Sequence, residues 1–182
     1  MRDQRPLTPG ETELARTMFG DSIDLGRVRL IHRPWWPLQP RSTVMAPMGN
    51  IHFHPAGDTW SDDFTNDTLS AQGLFIHEMT HVWQIMNQVV FDSFVPGYLC
   101  NGIGEQVSLG QAAYQYGPAG AAWNTYGVEG GAALVDNWFG GNSGQKISSE
   151  GGKGTGIPMD ENSDYFPYIQ SIRQRIPQGG CG

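Results

Sequence analysis

Five residues within one long helical pattern, His77-Glu78-Met79-Thr80-His81, restrict this chain more than any other part of it. From Leu69 to about Val89, apolar residues recur at helical spacing, and Leu74, Val82, Ile85, Met86 and Val89 form a stripe. Asp67 or Thr68 is placed to cap the start. Residues four apart lie one above the other on a helix face, so His77 and His81 can aim their imidazoles at one point. Glu78 is turned about 100° from His77, which lets its carboxylate reach a water held at that point instead of the point itself. This is the H-E-x-x-H arrangement of zinc peptidases, with His77 and His81 as metal ligands and Glu78 as the base. The competing reading is a solvated His/Glu face that holds no metal.

A catalytic zinc site needs a third protein ligand and leaves its fourth position to water. No histidine follows His81, so the third ligand is a carboxylate or one of His32, His52 and His54. The downstream glutamates are Glu105, Glu129, Glu150 and Glu161. Glu150 lies in a Gly-rich stretch and Glu161 in a polar loop, and both are poorly placed for rigid ligation. Glu129 opens an apolar helical pattern and is followed by Gly130, Gly131, Ala132 and Ala133, small residues that let one helix lie close to another. Glu129 is therefore the choice, with Glu105 second. Tyr126, one turn before Glu129, is the candidate donor to a developing oxyanion, ahead of Tyr165 and Tyr168. Packing is the competing role for all three tyrosines.

The remaining chain reads as a mixed α+β domain. Thr8-Pro9-Gly10-Glu11 fits a capping box with Pro at the first helical position, and Leu14, Ala15, Met18 and Phe19 continue a helix that Gly20-Asp21 ends. Residues 27–32 alternate as a half-buried strand, and residues 43–46 and 50–54 read as a hairpin through Met48-Gly49. His52 and His54 would share one face of that strand, lining a peptide-binding edge or serving as structural histidines. Residues 58–68 are polar and loop-like. Further helices are expected over residues 105–116, 127–139 and 164–175. The Gly/Ser-rich residues 140–158 are expected to form a mobile loop or lid within one 182-residue domain.

Composition excludes several classes. Charged residues make up 16% and hydrophobic residues 38%, a globular balance. The net charge of −7 disfavours phosphate backbones, so no nucleic-acid partner is expected. No apolar run approaches the ~20 residues that span a bilayer, and no secretory signal is recognisable, so no membrane partner is expected. Cys100 and Cys181 are too few and too distant for a Cys-based zinc site, and can be a disulfide or two free thiols.

The segment His77-Glu78-Met79-Thr80-His81-Val82-Trp83-Gln84 resembles the motif of bacterial Vgr-related zincin domains, some of which are C-terminal effector domains of type VI secretion spike proteins. Arg5-Pro6-Leu7-Thr8-Pro9-Gly10-Glu11, Trp35-Trp36-Pro37-Leu38-Gln39-Pro40, His52-Phe53-His54-Pro55 and Tyr126-Gly127-Val128-Glu129 extend the similarity over most of residues 5 to 139. The resemblance implies a zincin-like α+β fold with a small, mostly antiparallel sheet and a helical active-site half. It also implies one zinc ion held by His77, His81 and Glu129. It further implies an antibacterial effector fused to or carried by a spike, delivered without a signal peptide to a rival's periplasm, and a cognate immunity protein in the producing cell. One departure concerns support of the ligands: related glutamate-zincins carry an acidic residue shortly after the ligand glutamate. Here Ala132 and Ala133 occupy the next turn, and Asp136, two turns away, is the candidate substitute. A peptidoglycan-directed zinc amidase or peptidase, and a non-catalytic zinc-binding adaptor domain, are the alternatives. The intact Glu78 argues against the adaptor, because a structural zinc needs no base.

Overall fold

The capping box forms as the sequence predicts and joins a wider anchor. In the computed structural model, which describes residues 3–87, 114–140 and 158–174, helix α1 spans Pro9–Phe19. The Thr8 hydroxyl accepts from the Glu11 amide at 3.1 Å, and the Glu11 carboxylate accepts from the Thr8 amide at 2.8 Å. Glu11 is fully buried. It also takes two hydrogen bonds from the Arg5 guanidinium, at 2.7 and 2.8 Å, and one from the Phe64 amide at 3.0 Å. One carboxylate therefore fastens the first strand, the first helix and the loop before the motif helix. A buried carboxylate is tolerable here because every bond to it is charge-assisted or comes from an otherwise unpaired amide.

The sheet has three short strands, β1 (Gln4–Pro6), β2 (Arg29–Ile31) and β3 (Ile51–His52), in the order β1-β2-β3. β1 runs antiparallel to β2, with Arg5 opposite Leu30. β2 runs parallel to β3, with Leu30 opposite Ile51. The sheet is thus mixed and not mostly antiparallel as expected. The reason is the long connection over residues 32–50: a crossover of a dozen or more residues can return the chain to the same end of the sheet. The expected hairpin shrinks to one antiparallel bridge, Met45 to His52. Pro40 and Pro47 lack amide donors, and the chain turns tightly at Pro47–Gly49, where Met48 (φ 53) and Gly49 (φ 81) are both left-handed.

Helix α2 (Leu69–Met86) starts at Thr68, whose hydroxyl accepts from the Ala71 amide at 3.2 Å. The sequence predicts an apolar stripe, but Phe75 through Gln84 are all buried. The helix is surrounded by α1, the turn at Pro47–Gly49 and helix α3 (Gly127–Phe139). A short helix α4 (Phe166–Arg173) packs on α1. Phe53, Phe64 and Phe75 form an aromatic ladder between sheet and α2, with ring centroids 5.7 and 5.4 Å apart. Among the described residues no helix is long and apolar enough to cross a membrane. The expectations for Cys100, Cys181, Glu105, Glu150, most of the 105–116 helix and the interior of 140–158 lie outside the described residues. The chain's exit and return around that last stretch meet. The Met159 amide donates to the Trp138 carbonyl at 2.8 Å, and a Cβ on Gly140 would stand 2.8 Å from Pro158.

Candidate metal centre

Two helices build the site. His77, Glu78 and His81 come from the middle of α2, and Glu129 from the first turn of α3. A helix N-terminus favours negative charge, so α3 supports an ionised Glu129. The His77 and His81 rings stand nearly perpendicular, at 82°, with centroids 4.9 Å apart. Glu129 Oε2 lies 3.2 Å from His77 Nε2 and 3.4 Å from His81 Nε2. Among the described residues, one His/Cys/Asp/Glu group could hold a metal ion, and it is His77, His81 and Glu129.

The spacing tests the fit. Zinc–ligand distances of about 2.0–2.2 Å in a tetrahedron put neighbouring donors roughly 3.3–3.5 Å apart. The two observed separations, 3.2 and 3.4 Å, fall on or just under that edge. Glu78 adds a second sign. It is 4% exposed, and its Oε2 has no hydrogen-bond partner among the described residues. A buried carboxylate oxygen left open beside three convergent donors suits a water or substrate group.

Electrostatics separate the two carboxylates. Burial raises the Glu78 carboxyl above its ordinary range, and the two imidazoles only partly offset this. Burial acts on Glu129 in the same sense, but the His81 charge and hydrogen bonds from both imidazoles bring it well below the usual carboxylate range. Burial works against the His81 charge in turn, and Glu129 beside it outweighs that, holding the imidazole up at about 9. The environment therefore separates the two carboxylates, holding Glu129 ionised and biasing Glu78 toward its protonated form.

The surrounding side chains are only partly those the sequence suggested. Asp136 is buried, with Oδ2 4.0 Å from His77 Nδ1, where the candidate substitute carboxylate was expected. Gln84 was not assigned a role by sequence. It is fully buried, with Oε1 2.9 Å from His81 Nδ1 and Nε2 donating to the Val128 carbonyl at 2.9 Å. The available signal was its i+3 position relative to His81. Tyr114, also unassigned, has its ring 5.9 Å from that of His77. Gly131 explains the close approach of the helices: a Cβ there would stand 2.9 Å from Trp123 Cζ3 and 3.3 Å from Gln84 Nε2.

The other candidate residues have hydrogen bonds, ring contacts or ion pairs of their own. The Tyr126 hydroxyl donates to the Pro118 carbonyl at 2.8 Å and lies 2.8 Å from the Tyr168 hydroxyl. The upstream histidines have partners of their own: His52 Nδ1 lies 3.2 Å from the Arg33 carbonyl, His54 Nδ1 accepts from the Ala56 amide, and His32 stacks on Trp60 at 4.5 Å. Met45 covers the outer side of β3 at His52, so that strand offers no free edge there. Glu161 is exposed and pairs with Arg173.

No protein-family model matches the chain. An 82-residue stretch, 44% of the chain, is 49% identical to the type VI secretion system spike protein VgrG2b of Pseudomonas aeruginosa. That stretch spans only 8% of the spike protein's length. The solved structure of the effector domain of P. aeruginosa VgrG2b matches with a TM-score of 0.62 and 34% identity, covering 79% of this chain and 84% of that domain. This chain belongs to the family of the VgrG2b effector domain. The family likeness thus rests on nearly the whole of that domain and on a small part of the spike, and it agrees with the Vgr-related resemblance of the sequence.

Proposed function

We propose that this member of the family is a zincin-like, zinc-dependent metallopeptidase, delivered by a type VI secretion spike as an antibacterial effector that acts in the target periplasm. The observation that carries the enzymatic part is the buried Glu78 carboxylate beside His77, His81 and Glu129, with Glu129 Oε2 3.2 and 3.4 Å from the two imidazole nitrogens. Family membership supports the delivery route, and a cognate immunity protein follows from the toxicity of such an activity to its producer. His77, His81 and Glu129 would hold the ion. When bound, zinc supplies a Lewis acid that polarises a carbonyl and lowers the pKa of a water to about 7.

The protein's own groups carry the protons. Glu78, with its pKa raised by burial, takes a proton from the attacking water as the new C–O bond forms. It then delivers that proton to the departing nitrogen as the C–N bond breaks, leaving a carboxylic acid and an amine. Tyr126 is the proposed donor to the oxyanion, and acting so requires its hydroxyl to exchange the Pro118 carbonyl for substrate. Tyr114, beside His77, is the alternative donor.

Glu78→Gln tests this reading. It is expected to bind zinc and fold as the wild type does, and to lose hydrolysis by about 10²–10⁴-fold, the range for a general base. Release of new amines from an unfolded protein and from isolated peptidoglycan would be measured side by side, which also separates a protease from a peptidoglycan-directed amidase. Undiminished hydrolysis in the variant would remove Glu78 from the chemistry.

A further inference from the structure

The motif's two histidines are supported differently. Asp136 stands 4.0 Å from His77, whereas His81 hydrogen-bonds a neutral amide, Gln84, at 2.9 Å. The orientation of that amide can be deduced. A backbone carbonyl only accepts, so the end of Gln84 facing the Val128 carbonyl at 2.9 Å is its NH₂ group. The other end, facing His81 Nδ1, is then the amide oxygen, which only accepts as well. His81 Nδ1 must carry a proton, so in the neutral imidazole that a metal requires it is Nε2, the atom 3.4 Å from Glu129, that turns its lone pair to the site. Val128 directly precedes Glu129, so the same amide also ties down the first turn of α3. Gly131 leaves the space this needs, since a Cβ there would stand 3.3 Å from Gln84 Nε2.

We propose that Gln84 is a positioning residue coupling the two helices of the metal centre: its oxygen fixes the tautomer of His81, and its nitrogen holds the turn that presents Glu129. An ionised acid of equal length offers acceptors without a donor, and an apolar side chain of equal length offers neither. The proposal rests on the metal-centre reading and adds the means by which ligands from separate helices keep their spacing.

Zinc affinity of the full chain, measured by competition with a chromophoric chelator, tests it with Gln84→Met, Gln84→Glu and His81→Ala. Gln84→Met keeps the volume and removes both bonds. It is expected to weaken zinc binding by about 10–100-fold, the usual effect of losing a ligand's supporting partner. Gln84→Glu keeps an acceptor for His81 and loses the donor to Val128, and its affinity should fall between the two. Long-range ¹H–¹⁵N spectra of the zinc-loaded wild type supply a readout independent of any variant's folding: the His81 proton should be on Nδ1. A proton on Nε2 would overturn the proposal. So would a Gln84→Met affinity within about twofold of wild type while His81→Ala loses zinc, and in that case the metal centre would stand without the Gln84 role. If His81→Ala also bound zinc normally, the metal-centre reading would fall and take this inference with it.

Discussion

At the scale of single residues, the two helix-borne histidines and Glu78 were legible because a helix fixes its own side-chain directions, and no tertiary knowledge is needed to see that His77 and His81 share a face. Glu129 was legible for a weaker reason, the run of small residues after it, which only hints at close helix packing. Gln84 was not legible: its role depends on the Val128 carbonyl of another helix, and sequence spacing says nothing about that. The histidines outside the site are undecidable by residue type, and the structure gives each a partner away from the metal centre. His52 illustrates the consequence. Buried at 5% exposure, its imidazole is shifted below its ordinary value of 6.5 by burial, with the Arg33 carbonyl bond opposing in part. The unfolded chain therefore takes up this proton before the folded protein does as pH falls. The His52 contribution to stability is full above 6.5 and is lost as pH drops from there through the lowered folded-state value. Urea midpoints measured from pH 7.5 downward should decline below 6.5, and His52→Gln should flatten that decline; an unchanged slope in the variant would assign the effect to other groups.

At the scale of elements, local signals succeeded where the chain decides its own conformation. The capping box of α1, the Thr68 cap of α2 and the span of α3 form as their residues indicate. The β-region was less legible. The strands are only two or three residues long, too short for alternation to specify direction. Whether β3 pairs parallel or antiparallel is set by how residues 32–50 travel, which periodicity does not encode. The contact between α2 and α3 can be tested at Gly131. Gly131→Ala would gain about 1 kcal/mol of helix propensity on an open surface. Here the added Cβ meets Trp123 at 2.9 Å and crowds the Gln84 amide, and overpacking of this kind costs about 1–3 kcal/mol. The variant should show a lower unfolding midpoint and weaker zinc binding together. A stabilised variant with wild-type zinc affinity would show that the helices have room to spare.

At the scale of the whole molecule, the sheet, α1 and α3 all pack on α2, so the metal ligands meet only when the domain is assembled. The Arg5–Glu11 pair ties the first strand to the loop leading into α2, so residues more than 60 positions before the motif help to set its helix. Metal and fold should therefore stabilise one another, because the donor set does not exist in the unfolded chain. The central claim, that these three side chains form one divalent-metal centre, is tested most directly by the zinc content of purified wild-type and Glu129→Ala protein. About one zinc per chain in the wild type, lost or greatly weakened in the variant, is the expected result. A wild type without zinc, or a Glu129→Ala protein that retains it fully, would contradict the assignment.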